Sequence, residues 1–261
     1  MALFEKAVRM RGVKALAAAA ALAVMGMASQ ASATINFNIT NVSMQTAYHA
    51  NIVGFGEAYS NGVTFDVSNY PGETQLFGFC IDIYHDMYLY QSYQYQSNQD
   101  TGGGLVPNAG TSLDDTQKAA ITDLVDTGWL MHQATPNDGT TIMKLAAIQA
   151  AIWAIEVPTT NNLPTVTLVN GGLASDPNSY QHWFEAYRDG QYDRLNDGND
   201  RVFTITDRIL DINGNAVHQS FAVGWPIPGV PEPSTWGLMI LGFGGMGALL
   251  RRQRRQGLAA A

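Results

Sequence analysis

The sequence predicts an α+β domain, a β-sandwich or barrel with a helical insertion, flanked by a cleaved signal peptide and a single C-terminal hydrophobic helix. Alternating apolar and polar runs indicate strands in the first part of the domain, and two helical segments follow, then a further helix and more strands. Each end of the chain combines an apolar run with a basic cluster, a pattern typical of export signals. We therefore divide the 261 residues into segments 1–33, 34–224, 225–235 and 236–261.

The first segment has the three parts of a secretory signal peptide. Four basic residues precede an alanine-rich apolar run over residues 15–27, and Ala31-Ser32-Ala33 provides small residues for cleavage. We expect cleavage after Ala33 and export through the Sec pathway. A membrane anchor is the less favoured reading, because the apolar run is short for a bilayer span.

The mature chain opens with strand patterns. Residues 35–39 and 62–67 alternate in hydrophobicity, and Asn61-Gly62 before the second run predicts a tight hairpin turn. Residues 75–90 form a longer extended stretch. This stretch contains Cys80, the only cysteine of the chain.

Two helices are predicted next. Ser112 is a candidate N-cap for a helix that reaches about residue 127, where Gly128 suits a C-terminal cap. Residues 141–156 lack Gly and Pro and are rich in Ala, Leu and Ile, which favours a second helix. Gln149 lies in the middle of its apolar stripe, whose members are Ile142, Leu145, Ala146, Ile152 and Trp153.

The remaining elements are a strand at residues 165–169, a helix within residues 175–189 and a hairpin formed by residues 202–212 and 216–223. Residues 193–200 are rich in Asp and Asn, but their spacing does not match the twelve-residue calcium loop. We expect a solvated turn there. No cofactor and no metal ion is expected anywhere in the chain.

Charge excludes several function classes. Residues 34–230 contain six basic and twenty acidic side chains, a net charge of −14. So acidic a domain is unsuited to nucleic acid and is repelled by anionic membrane surfaces. Solubility outside the cell explains this charge.

Cys80 and Gln149 suggest a specific reaction. An unpaired cysteine in an exported protein indicates a reactive thiol, although a buried, inert cysteine is the simpler alternative. A glutamine on an apolar helix face needs hydrogen-bond partners, and backbone groups usually supply them. Alternatively, the amide condenses with the thiol to a thioester and loses ammonia, which removes the donors that would need partners.

The residues around both side chains resemble the thioester domains of bacterial surface adhesins. The resemblance rests on the runs Phe79-Cys80-Ile81-Asp82 and Gln149-Ala150-Ala151-Ile152-Trp153, although Ile148 stands where that family usually has Thr or Gln. It implies a Cys80–Gln149 cross-link that captures a surface ligand through an amine or hydroxyl group, and an exopolysaccharide is a candidate ligand. The supporting residues implied are Phe79, Asp82, Ile152 and Trp153.

The C-terminal segment resembles the PEP-CTERM sorting signal of Gram-negative bacteria. Pro231-Glu232-Pro233 and Trp236 precede a glycine-rich apolar run, and Arg251 and Arg252 begin an arginine cluster after it. The run is shorter than a comfortable bilayer span, which suits a temporary anchor. The resemblance implies transient inner-membrane anchoring, processing by an exosortase, and delivery to the cell surface or an exopolysaccharide-rich matrix.

Two other functions are open at this stage. A cysteine hydrolase would need a histidine and an orienting Asn or Asp beside Cys80, and His85 lies too close in sequence to decide this. In thioester capture, His85 and His132 are candidates to accept the proton of the attacking nucleophile, although filling of the surface or core is the favoured role for both. A non-covalent extracellular matrix or glycan-binding module would leave Cys80 inert. We expect an adhesive that reacts once and is not an enzyme.

Overall fold

The computed structural model describes residues 34–98, 104–106, 112–157, 165–195, 202–214 and 216–224. The predicted signal peptide, the Pro-Glu-Pro linker and the C-terminal hydrophobic segment lie outside these ranges. The strands are β1 Ile35–Met44, β2 His49–Ile52, β3 Gly56–Tyr59, β4 Val63–Ser68, β5 Gln75–Cys80, β6 Tyr93–Ser97, β7 Val166–Val169, β8 Val202–Asp207 and β9 Phe221–Gly224. The helices are α1 Asp115–Ala134, α2 Gly139–Glu156 and α3 Tyr180–Arg188.

Six strands close into a barrel in the order β1-β4-β5-β9-β8-β6, and every neighbouring pair is antiparallel. A separate three-stranded sheet has the order β3-β2-β7. The helices and β7 are inserted in the chain between the barrel strands β6 and β8. A β-barrel with a helical insertion agrees with the predicted fold class.

The barrel core is aromatic and β-branched. Along β4 the side chains alternate between buried and half-buried positions, as expected for a strand with one face on the core. Phe65 of β4 meets Phe221 of β9 edge to face across the interior, with 4.8 Å between ring centroids. The largest fully buried side chains of the barrel strands are Phe37, Ile39, Phe65, Phe79, Tyr95, Ile205 and Phe221.

The central part of helix α2 is buried on all sides, so the prediction of a single apolar stripe is wrong. Every residue from 145 to 153 is buried, and α2 contacts α1, α3, β2, β5 and β7. Gln149 is the only polar residue in that stretch, which has no solvated face. No helix within the described ranges is both long and apolar enough to cross a membrane.

Helix α1 begins and ends later than predicted. Its N-cap is Asp114, whose carboxylate accepts a hydrogen bond from the Gln117 backbone N–H while the Gln117 side chain accepts one from the Asp114 N–H. Gly128 does not cap the helix but lies inside it. A Cβ atom at Gly128 would lie 2.5 Å from the Phe79 ring, so the glycine permits close packing of α1 on β5.

The predicted hairpin at Asn61-Gly62 is wrong as well. The strand before it, β3, belongs to the small sheet, and the strand after it, β4, belongs to the barrel. A two-residue turn of the favoured type needs positive φ at both positions, and neither residue has it. Gly62 instead leaves room for the Phe77 ring, which a Cβ atom would approach to 2.1 Å. The predicted pairing of the last two strands is confirmed, with Val202 opposite Gly224.

Candidate functional site

Cys80 is the last residue of β5, at a point where the ladder on one side of the strand is incomplete. On the β9 side, Cys80 pairs with Phe221. On the β4 side, strand pairing stops two residues earlier, at Val63 and Gly78. The backbone of Cys80 is buried, so its N–H and C=O need partners from another element.

The side chain of Gln149 supplies both partners. The Cys80 N–H donates to Gln149 Oε1 at 2.8 Å, and Gln149 Nε2 donates to the Cys80 carbonyl oxygen at 2.9 Å. The amide thus takes the place that a peptide group of β4 would occupy. Gln149 is 1% exposed. The structure therefore brings together the two residues predicted to react, although 69 positions separate them in sequence.

The sulfur of Cys80 lies in the turn that follows β5. Its S–H donates to the Asp82 carbonyl oxygen at 3.3 Å, and the Asp82 N–H donates to the sulfur at 3.4 Å. Burial raises the pKa of the Cys80 thiol well above its usual value, and the carboxyl group of Glu156 raises it further. The resting sulfur is therefore a neutral thiol, which is a weak nucleophile.

Asp82, predicted as a supporting residue, fixes this turn. Its side chain is fully buried and accepts hydrogen bonds from the Tyr84 N–H at 3.1 Å and from His85 Nδ1 at 2.8 Å. These local bonds fix residues 82–85, the part of the chain that continues from Cys80, in a turn. Asp82 therefore acts on the site by orienting the segment that carries the sulfur.

A cavity of about 230 Å³ is lined in part by Cys80 and Gln149. Its inner wall includes Cys80, Gln149 and Trp153, all of them buried. Its lining also includes the exposed residues Glu57 and Asp86. The cavity thus connects the buried pair with the protein surface. The rest of its lining is Val42, Met44, Ala58, Tyr59, Asn61, Val63, Met87, Leu89, Gln219 and Phe221.

The other predicted supporting residues differ in position. Trp153 lines the cavity, whereas Phe79 and Ile152 are completely buried and do not line it. Phe79 packs edge to face on Phe77, with 5.4 Å between ring centroids. Phe79 and Ile152 therefore stabilise β5 and α2 and do not shield the cavity itself.

Neither histidine considered as a proton acceptor lines this cavity. The ring of His132 stacks on Phe77 with 3.8 Å between centroids, and burial lowers the pKa of His132. His85 is held by Asp82 through Nδ1. Within the described ranges, no group of three His, Cys, Asp or Glu side chains could hold a metal ion. Residues 196–200 of the Asp- and Asn-rich turn lie outside those ranges.

Glu156 of helix α2 is a buried acidic residue that the sequence analysis missed. It is 6% exposed, and neither carboxyl oxygen has a hydrogen-bond partner among the described residues. Burial raises the pKa of Glu156 well above its usual value, and Asp82 raises it further. A buried polar group without a partner costs about 1–3 kcal/mol. A glutamate seven positions after Gln149, on the same helical face, was the available signal.

This carboxyl group leads to a prediction about stability. Folded protein retains the Glu156 proton over a pH range in which unfolded protein has released it, so stability falls as pH rises from the usual pKa of a glutamate towards the raised value. The facing titratable groups are Asp82 and Cys80. Relative to Glu156→Gln, we expect wild-type protein to lose up to about 1.4 kcal/mol per pH unit in that range. Urea unfolding of both proteins across pH 4–8 measures this, and parallel curves would contradict it.

The comparisons with known proteins concern the other end of the chain. Residues 229–255 match the model of the PEP-CTERM protein-sorting motif. The chain carries this sorting motif. It implies an exported protein that an exosortase processes and that is sorted to the cell surface, in agreement with the prediction from Pro231, Glu232 and Pro233. The matched residues lie outside the described ranges. No curated protein and no solved structure matches the chain.

Proposed function

We propose that this exported protein attaches itself covalently to a surface ligand through a thioester between Cys80 and Gln149. The observation that carries the proposal is the pairing of the Gln149 amide with the backbone of Cys80 at the end of a surface-connected cavity. The amide group is held beside the residue whose sulfur would attack it. The pairing keeps the two residues together, which lowers the entropic cost of bringing the sulfur to the amide carbon.

The chemistry has two steps. In the first, a bond forms between Cys80 Sγ and Gln149 Cδ, and Gln149 Nε2 leaves as ammonia with the thiol proton. In the second, an amine or hydroxyl of the ligand attacks Cδ, and the sulfur leaves as the better leaving group and becomes a thiol again. The ligand remains bound through an amide or ester. The protein reacts once and does not turn over.

The lining of the cavity is consistent with this role. Gln149 at the inner end is 1% exposed, which limits hydrolysis, and the outer end admits a ligand. Among the described residues of the lining, only Glu57 and Asp86 are charged, and both are acidic. This charge favours a ligand with a cationic amine, such as a lysine side chain or an amino sugar. An exopolysaccharide carrying amino or hydroxyl groups fits a protein with this sorting motif.

A second candidate is non-covalent binding to matrix or glycan. The two hydrogen bonds to Cys80 already satisfy the Gln149 amide, so the pairing has a purely structural role in this candidate. Five exposed aromatic side chains, which can stack on sugar rings, belong to segments 55–59 and 84–90, which also contribute Glu57 and Asp86 to the cavity lining. They are Phe55, Tyr59, Tyr84, Tyr88 and Tyr90.

Intact mass and methylamine capture decide between the two candidates. We expect mature protein to be one ammonia lighter than its sequence, to hide its thiol from reagents until denatured, and to gain one methylamine on incubation. Cys80→Ala is the matched control and should have its full sequence mass. Full mass and an immediately reactive thiol in native wild-type protein would remove the covalent proposal and leave the non-covalent candidate.

A further inference from the structure

The small sheet ends in an unpaired edge at β3. In the order β3-β2-β7, β3 pairs with β2 alone within the described ranges. The Ser60 N–H donates to the Tyr48 carbonyl oxygen at 2.9 Å, and the backbone groups of an antiparallel strand face its partner at every second residue. Ala58 therefore faces β2, whereas the backbone N–H and C=O groups of Glu57 and Tyr59 face away from it. Among the described residues, no other backbone group bonds to these four groups.

The unpaired edge of β3 runs along the cavity described above. Glu57, Ala58 and Tyr59 all line this cavity, together with Cys80 and Gln149. Because successive side chains of a strand point to opposite faces of the sheet, a cavity that all three residues line lies at the edge of the strand. The edge and the reacting pair therefore share one cavity.

The surroundings of this edge favour a polypeptide with a cationic side chain. Native edge strands often carry lysine or proline, which discourage pairing with another chain, and β3 has neither. The exposed side chains of Val53 and Phe55 provide apolar area just before β3. Glu57 and Asp86 are acidic, although the Glu57 carboxylate also contacts the ring of His49. This charge attracts a lysine and repels an acidic chain.

We propose that an extended polypeptide segment binds to β3 as a fourth, antiparallel strand and directs a lysine side chain into the cavity. The alternating donors and acceptors of the edge match the backbone of another extended chain, and a glycan lacks this spacing. The residue opposite Ala58 lies between the two residues that bond to Glu57 and Tyr59, and its side chain lies on the same face as Ala58. That residue is the lysine.

The docking step is independent of the covalent step, which rests on the proposed function. In the covalent step, the lysine ammonium group first loses a proton to water. Its Nζ then forms an amide bond with Gln149 Cδ, the Cδ–Sγ bond breaks, and a second proton passes from the nitrogen to Sγ of Cys80. Docking raises the capture rate because it holds the amine beside the thioester.

Docking is tested on mature Cys80→Ala protein, which cannot form the thioester. The probe is an acetylated and amidated heptapeptide that alternates threonine and valine and has lysine at its centre, and binding is followed by the backbone amide NMR signals of Glu57 and Tyr59. N-methylation of the two residues that flank the lysine removes the N–H groups that would bond to β3. We expect this change to raise Kd about tenfold, as for the loss of two hydrogen bonds. N-methylation of the lysine backbone nitrogen, which faces away from β3, is the matched control and should change Kd by less than about twofold.

Capture is tested on closed wild-type protein, as the rate for the peptide divided by the rate for methylamine. We expect methylation of the two flanking residues to lower this ratio about tenfold. Tyr59→Pro removes a backbone N–H of the edge and should also lower the ratio. Leu168→Pro is the matched control, because the Leu168 N–H of β7 also faces away from β2, and it should leave the ratio unchanged. If Tyr59→Pro does not fold, the methylated peptides decide on wild-type protein.

The outcomes separate this inference from the proposed function. A wild-type protein with its full sequence mass would refute the thioester, and docking would then be judged by the Cys80→Ala titration alone. Equal binding of the unmodified peptide and of the peptide methylated beside its lysine would overturn docking at β3. Faster capture of a glucosamine trimer than of the peptide would assign the site to a glycan and overturn the inference, as would a stable dimer whose interface contains β3.

Discussion

Replacing Gln149 by alanine is expected to abolish methylamine capture and to destabilise the fold together. The substitution removes the carbonyl carbon on which capture depends. It also leaves the Cys80 N–H and C=O buried without partners, because β4 does not reach them. Each unsatisfied group costs about 1–3 kcal/mol. Urea unfolding and intact mass after methylamine treatment measure the two effects on the same preparation.

Gln149→Glu separates the chemical role of this side chain from its structural role. A protonated glutamate has nearly the same shape and can accept from the Cys80 N–H and donate to the Cys80 C=O. It has no ammonia to release, so the thioester cannot form. We expect Gln149→Glu to recover much of the stability lost in Gln149→Ala but none of the capture. Capture by either variant would show that another residue carries the electrophile.

The second large effect is expected at Phe79. Its ring is fully buried between β5 and the helices, and Gly128 of α1 leaves space for it. Truncation to alanine should cost about 3–5 kcal/mol, as for other large buried aromatic residues. Because Phe79 directly precedes Cys80, the end of β5 should also become less well positioned, and capture should slow. Thermal and urea unfolding measure the first effect, and thiol release during methylamine treatment measures the second.

Phe79→Leu is the matched control for volume. It keeps an apolar side chain in the same space, so we expect a distinctly smaller loss of stability than for alanine. A Phe79→Ala variant that loses less than about 1 kcal/mol would contradict the packing role assigned to this ring. Neighbouring side chains would then have to move into the space that the Phe79 ring occupies beside Gly128. A crystal structure of the variant would reveal such a movement.

Local patterns in the sequence were sufficient for several elements of the fold. Alternation predicts β1 and β4 because each has one face on the barrel core, and the absence of Gly and Pro predicts α2. The juxtaposition of Cys80 and Gln149 was predicted from their chemistry and from the resemblance of their surroundings. Periodicity alone carries no information about a contact across 69 residues.

Other features depend on tertiary contacts that no local pattern encodes. Gly128 has the residue type of a helix cap, but it lies inside α1, where the Phe79 ring of β5 leaves no room for a side chain. Asn61-Gly62 has the composition of a hairpin turn, but the chain there passes from the small sheet to the barrel. Glu156 was overlooked because a charged residue at a helix end is normally solvated, and its burial depends on the surrounding elements.

Because pairing with β4 stops before Cys80, the backbone of Cys80 acquires its partner Gln149 only when the protein folds. The thiol belongs to a barrel strand and the amide to a helix inserted much later in the chain, so they meet only when both parts have assembled. Before it folds, the exported chain carries an ordinary thiol and an ordinary amide. In the proposed function, the electrophile therefore forms only after export and folding, so it cannot react with cytoplasmic amines or with the export machinery.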